Sequence, residues 1–425
     1  MSGTLVMILA GGASRELPVL TAHRSKAALP YGGRYRIIDF CLSNSVNSGM
    51  YDVGVLAQYN PVSLIAHVGN GSPWDLNRRY GGIMILQPYV GKTDPNWFRG
   101  TADALWQHIQ VIQDARCDDV LLLSADQVYK MDYNALIGYH RAQGAWVTVA
   151  VKPSTGFVPG RFGAVEVDED GLIRSFLEKP EHQAFGHYSL GIYAFKKKVL
   201  LERLSVACEG RHDIVYDVIM PLVREARARA FTFNGYWADV GWLEEYYESS
   251  MLLVSDPCLL DLSDQAWRIY TNTGIRPPTV VGKTAMIQSS LVANGCRIEG
   301  EVRRSILFPG VAVQAGATVE DSVVFSDSVV AGGATLRKAI VDKMARIGRD
   351  AFVGFGNPTC PNSLYPDVVN SGVSVIGKRT VIPDSIRIGR NCLIGRELPS
   401  EAIPSRDIVC GETILGEETW QKISS

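Results

Sequence analysis

The 425-residue chain predicts an α/β protein in two parts, a doubly wound sheet followed by a parallel β-helix. Three observations carry that expectation. Over the first half, short Val/Ile/Leu runs alternate with helix-length segments. The first of those runs ends in a glycine pair, as strands that meet phosphate do. From about Thr279 the period changes, and one aliphatic residue recurs about every six positions with small residues between.

The first run, Leu5 to Ala10, reads as a buried strand and leads into Gly11-Gly12-Ala13-Ser14-Arg15-Glu16-Leu17. Glycine has no Cβ to keep a ligand away, so backbone N–H groups of such a loop can close on phosphate. Lys26, on the far side of the loop, reaches the same phosphates as a point charge. On these residues alone, a tight strand-to-helix turn with no ligand fits as well. The loop is neither G-x-x-x-x-G-K-[ST] nor G-x-G-x-x-G. Val53 to Ala57, Val120 to Ser124 and Trp146 to Val151 read as further buried strands. Ala104 to Gln113 and Tyr133 to Gln143 have helical spacing.

Val120-Leu121-Leu122-Leu123-Ser124-Ala125-Asp126 is a strand that ends in a carboxylate. In an open α/β sheet that end faces the ligand crevice. A second carboxylate, Asp239, follows the apolar segment Ala230 to Phe233. Two such carboxylates beside a Gly-rich loop suit a metal-assisted phosphoryl or nucleotidyl transfer, because Mg²⁺ is held by one or two carboxylates plus substrate phosphates. Either Asp taken singly is also an ordinary helix cap. Glu178-Lys179-Pro180 reads as a solvated turn, or as a Glu for sugar hydroxyls beside a Lys for a monophosphate; spacing does not choose between them.

A helical stretch, Leu243 to Val254, closes the first domain at residues 1–254. Residues 255–278 form a linker with Pro257, Pro277 and Pro278. Residues 279–425 carry the repeat, clearest in Val311 to Val319, Val329 to Leu336 and Ala345 to Gly348, and again from Val375 to Gly395. Each aliphatic side chain points into a narrow prism whose corners take the small residues. Gly354 to Ser374, with Pro358, Pro361 and Pro366, reads as an excursion loop.

A net charge of −2 offers no basic excess for nucleic acid. No run is long and apolar enough for a membrane span. The 8 cysteines are scattered without a CxxC, which suits reduced thiols in a cytoplasm. All 7 histidines precede the repeat, which argues against acyl transfer using a histidine base on the coil.

Longer motifs are more specific. Arg34-Tyr35-Arg36-Ile37-Ile38-Asp39-Phe40, then Leu42 to Gly49, Trp97-Phe98-Arg99-Gly100-Thr101-Ala102-Asp103-Ala104, and Tyr129-Lys130-Met131-Asp132-Tyr133 together resemble the ADP-glucose pyrophosphorylase (glucose-1-phosphate adenylyltransferase) family. The resemblance covers nearly the whole chain. It implies a mixed-sheet nucleotidyltransferase domain joined to a left-handed β-helix, and the formation of ADP-glucose and pyrophosphate from ATP and glucose 1-phosphate for glycogen or starch-like glucan synthesis. It implies Mg²⁺ on Asp126 and Asp239. It implies a nucleotide site at Leu9, Ala10, Gly11, Gly12, Gly100 and Ala125, and a sugar-phosphate site at Gly163, Glu178, Lys179, Ser189 and Phe98. It implies Lys26 as an anion-binding or effector-side lysine, Lys343 as an effector lysine, and a homo- or hetero-tetramer with allosteric control; Asp126, Lys26 and, from its place in the loop, Arg15 are the candidate catalytic residues. Phosphate is itself the nucleophile, so no general base is required.

The chain departs from the family pattern G-G-x-G-x-R-L-x-P-L-T. Ser14 stands for the third Gly, Glu16 for the Arg and Val19 for the Pro. Glu16 reverses the charge expected against the leaving pyrophosphate, a loss of roughly 2 kcal/mol or more of transition-state stabilisation. Arg15, one position away, offers a replacement if the loop shifts. Ala125, Gln127, Ala238, Val90 and Phe98 also depart, most of them in the nucleotide half. The second expectation is therefore a catalytically weak or silent regulatory subunit of the same enzyme.

Overall fold

A computed structural model describes residues 3–12, 14–88, 97–154, 160–182, 186–207 and 212–416. The first half is built on a nine-stranded mixed sheet. Strand Gly3–Leu9 lies at its heart, parallel to Asp52–Leu56 on one side and to Cys117–Ser124 on the other. These strands are buried on both faces and read as unbroken aliphatic runs for that reason. His187–Lys196 joins antiparallel to Cys117–Ser124, and it carries Val147–Pro153 and Ala164–Val167. Ile173–Leu177 extends the sheet beyond Ala164–Val167, and Ala228–Thr232 pairs parallel to Val147–Pro153. A short antiparallel pair, Gln127–Tyr129 with Trp237–Asp239, sits over the crevice end.

The segment expected to be one helix from Ala104 is two. Thr101–Gln107 and Ile109–Asp114 meet at His108, whose backbone leaves helical geometry at φ −109° and ψ 24°. The His108 ring bonds to the Gln87 carbonyl at 3.1 Å, a tertiary contact that periodicity cannot register. Helix Leu243–Leu252 is the last regular element before the first coil strand, Val280–Val281.

The second half is a parallel β-helix whose three faces carry six, six and seven parallel strands. This is the geometry of left-handed hexapeptide-repeat coils. Ile298, Val313, Val330 and Ile347 stack in register down one face, all buried. The small residues at the corners do more than fit. The Ser305 hydroxyl accepts the Ser322 N–H, and the Ser322 hydroxyl accepts the Ala339 N–H, at 3.1 and 3.2 Å. No strand is assigned between Phe355 and Ser374, the excursion expected from the prolines.

The two halves share a core. Tyr31, Phe40 and Tyr246 pack in one apolar cluster with Ile306, Phe308, Val323 and Phe325 of the coil. A buried ion pair, Arg24 to Asp342 at 2.5 Å, crosses the same boundary. Lys26 lies two residues beyond Arg24, so the coil grips the segment that reaches the crevice. All the described cysteines are free thiols, and no helix among the described residues is long and apolar enough to cross a membrane.

Candidate active site

Three parallel strands deliver their carboxyl ends to one place. Leu9 pairs with Leu56 and with Ser124 in register, and beyond them the chain closes through Ala10 N–H to the Leu56 carbonyl at 2.9 Å and Ala125 N–H to the Leu9 carbonyl at 3.0 Å. There a cavity of about 340 Å³ opens, lined by Leu9, Ala10, Gly11, Gly12, Lys26, Gln58, Phe98, Gly100, Ala125 and Asp126 among others. Every residue expected to bind nucleotide lines it. Phe98, expected on the sugar side, lines it too. Gly100 is required on packing grounds, because a Cβ there would overlap the His212 carbonyl oxygen. Val90 lies outside the described residues.

The two carboxylates meet because their strands pair. Asp239 is opposite Gln127 in the short ribbon, and the Val240 N–H donates to the Asp126 carbonyl at 3.0 Å. The Ser124 hydroxyl donates to Asp126 Oδ1 at 2.6 Å. Burial first, and repulsion from Asp126 second, push the Asp239 carboxyl up to about 7, against the opposing pull of the Gly241 N–H, Lys26 and Arg161. Among the described residues no three His, Cys, Asp or Glu side chains converge. The donor set is thus two carboxylates that repel one another, which fits a divalent cation completed by oxygens from a phosphate.

Gly163, Glu178, Lys179 and Ser189, expected at the sugar phosphate, converge on the antiparallel side of the sheet. The Ser189 N–H donates to the Gly163 carbonyl at 2.8 Å. A Cβ on Gly163 would sit 2.7 Å from the Phe176 ring and 3.1 Å from Glu178 Oε2, so glycine is needed for Glu178 to stand there. Burial raises the Glu178 carboxyl; Lys179 opposes this and Asp213 adds to it. Lys179 is exposed, with a left-handed φ of 46°, directly after the strand that carries Glu178.

Two polar side chains organise the site: Gln127, which the sequence marks only as a departure from the family pattern, and Gln58, which no motif marks. Gln127 is almost fully buried. Its amide donates to the Leu190 carbonyl at 2.6 Å and accepts from the Trp237 indole at 3.1 Å. It therefore ties the carboxylate ribbon to the strand bearing Ser189. Gln58 brackets Phe98, accepting from its N–H and donating to its carbonyl. No pattern marks either role, because each acts through backbone partners distant in sequence.

Glu16 and Arg15 face different ways. Glu16 accepts from the Ser14 hydroxyl at 3.0 Å and pairs with Lys26 at 3.7 Å. Burial raises its carboxyl, but the Glu16 backbone N–H, Lys26 and Ser14 together hold it below its ordinary value. Arg15 is exposed and is not among the cavity-lining residues; its charge acts on Tyr365 in the coil excursion. Arg15 therefore does not stand in for the missing cation in this arrangement. Lys343 lies elsewhere, in a cleft of about 210 Å³ between the domains, with Arg34, Arg36 and Arg276. Burial, then the charges of Arg36 and Arg24, lower its ammonium to about 7 against the pull of Asp342.

Residues 5–256 match the nucleotidyl transferase family and residues 278–376 the GlmU-like C-terminal hexapeptide family. The chain is 46% identical over 419 residues to a glucose-1-phosphate adenylyltransferase of Thermomicrobium roseum, covering 97% of this chain and 98% of that one. It is 40% identical over 420 residues to the enzyme of that name from Acetivibrio thermocellus, covering 98% of each. The Thermotoga maritima protein of the same name is 40% identical over 424 residues, with 98% of this chain and 100% of that one covered.

Proposed function

The chain belongs to the glucose-1-phosphate adenylyltransferase family, and we propose that it joins ATP and glucose 1-phosphate into ADP-glucose with release of pyrophosphate. The observation that carries the reading is Asp126 lining the Gly11–Gly12 cavity with the Asp239 carboxylate near enough to be repelled by it. Mg²⁺ held by these two carboxylates would neutralise phosphate charge as the α-phosphorus is attacked. The remaining work is positioning. The backbone at Gly11 and Gly12 and the Lys26 ammonium receive the nucleotide phosphates. Glu178 and Ser189 orient the sugar, Gly163 leaves room for Glu178, and Lys179 answers the sugar's phosphate. Phosphate oxygen is the nucleophile, so no side chain need remove a proton.

The test is pyrophosphate release by the purified chain with ATP, glucose 1-phosphate and Mg²⁺. Asp126→Asn should lower kcat by about a hundredfold or more, the scale of losing one well-placed electrostatic group, while glucose 1-phosphate still binds. An unchanged kcat in that variant, or no turnover by the wild type under any Mg²⁺ level, would overturn the reading. The silent-subunit alternative predicts the second result.

A further inference from the structure

Two departures of the Gly-rich loop are bonded to one another, and the third, Val19, shapes the turn that follows them. Ser14 donates to Glu16, and Glu16 pairs with Lys26. The turn that aims Glu16 inward is held by the Leu243 N–H on the Glu16 carbonyl at 3.0 Å. It is also held by the Thr21 hydroxyl, which donates to the Ser14 and Leu17 carbonyls at 3.1 and 2.8 Å. Val19 completes the turn at φ 65°, a value the proline ring cannot adopt. A loop with Pro at this position follows another path. Serine, glutamate and valine thus belong together, and they turn a carboxylate toward the lysine that faces the cavity.

We infer that Glu16 is an internal counter-ion for Lys26, which an incoming polyphosphate must displace, so that one ion pair in this loop sets the chain's affinity for the nucleotide and for pyrophosphate. The inference rests on the adenylyltransferase reading for the identity of the ligand. Both partners are partly shielded from water, with the Lys26 side chain 19% and the Glu16 side chain 33% exposed, so their attraction is screened less than on open surface. The lysine is also drawn on by Asp239. Glu16 acts through Lys26 and is a positioning residue.

The experiment is a calorimetric titration of the full chain with inorganic pyrophosphate in Mg²⁺. Glu16→Gln should tighten binding about fivefold, the upper end for a partly exposed pair. In a Lys26→Met background the same change should shift affinity by less than about twofold, because the coupling is gone. Lys26→Gln also removes the charge, on a polar side chain, and should show the same small response, which preserves the test if Lys26→Met does not fold; Lys26→Arg keeps the cation and should keep the full response. In turnover, Glu16→Gln should lower the KM for ATP and leave that for glucose 1-phosphate unchanged. Equal tightening with and without Lys26 would reveal a plain field effect and overturn the inference, as would no binding or no tightening. Pyrophosphate binding with the expected coupling but no turnover would sink the adenylyltransferase reading and leave the ion pair standing. Turnover without coupling would do the reverse.

Discussion

On the side of the crevice proposed for the sugar phosphate, Gly163, Glu178 and Ser189 lie on strands or at their ends, and backbone ladders set their register. On the side proposed for the nucleotide, Gly11, Gly12 and residues 14–25 and 98–100 are loops and short turns, and side chains hold them: Ser14 on Glu16, Thr21 on Ser14, Gln58 on Phe98. Four departures, Ser14, Glu16, Val19 and Phe98, fall in the second group, whereas Gln127 and Ala238 lie on the paired strands of the short ribbon. A ladder keeps its register through side-chain changes such as Gln127 and Ala238, because the atoms it joins are main chain. A loop held by side chains can be rebuilt when two or three of them change together, as Ser14, Glu16 and Val19 illustrate.

The largest effect that would sharpen this contrast comes from Gly100→Ala. The new methyl meets the backbone of His212, and the Ala102 N–H on the His212 carbonyl at 2.8 Å keeps that backbone in place. Overpacking against main chain should cost about 3 kcal/mol or more, read as a lower urea midpoint, with nucleotide binding lost before glucose 1-phosphate binding. Equal loss of both would erase the distinction between the halves. Gln127→Leu comes next. It strands the Trp237 indole N–H and the Leu190 carbonyl in a buried setting, at a cost of about 2 kcal/mol. Because Gln127 bridges the halves, it should lower kcat and raise the KM for glucose 1-phosphate together. A change in one parameter alone would mean that the bridge carries no positional information between them.

Much of the architecture was legible from period alone. The aliphatic runs at Leu5, Val53, Val120 and Val147, and the roughly six-residue repeat, report burial that depends only on near neighbours. Asp126 and Asp239 were legible as strand-end carboxylates, and their proximity rests on pairing between Gln127–Tyr129 and Trp237–Asp239. The helix break at His108 was not legible, since its cause is a carbonyl some twenty residues away in the chain. Nor was the direction of Glu16. Residue type announced a reversed charge; which of Arg15 and Glu16 faces Lys26 depends on the turn, and the turn depends on Leu243 in a distant helix.

Val19 sharpens the comparison at smaller cost. A β-branched residue at φ 65° carries strain of about 1 kcal/mol or more. Val19→Gly should relieve part of it and raise the urea midpoint slightly, less whatever Val19 gives by packing against the apolar cluster that the two halves share. Val19→Pro cannot keep this path. It should free Glu16 from Lys26 and therefore mimic Glu16→Gln in pyrophosphate titrations. If Val19→Pro leaves pyrophosphate affinity untouched, the three departures are independent of one another.

Lys26 and Lys343 sit in opposite electrostatic settings. Lys26 is answered by carboxylates, whereas Lys343 faces Arg36, Arg24 and Lys378 with Asp342 as its counter-charge. Its ammonium is lowered from 10.5 to about 7, so between those values the unfolded chain binds one more proton than the folded chain. Stability from this site then rises with pH across that window, and below about 7 the penalty of burying the charge is fully present. Lys343→Met removes the penalty. The variant should exceed the wild type in urea midpoint most at about pH 6, and the gap should narrow toward about pH 9. A gap that widens with pH would place the Lys343 proton on the folded chain, and would make the interdomain cleft as well balanced in charge as the cavity that holds Lys26.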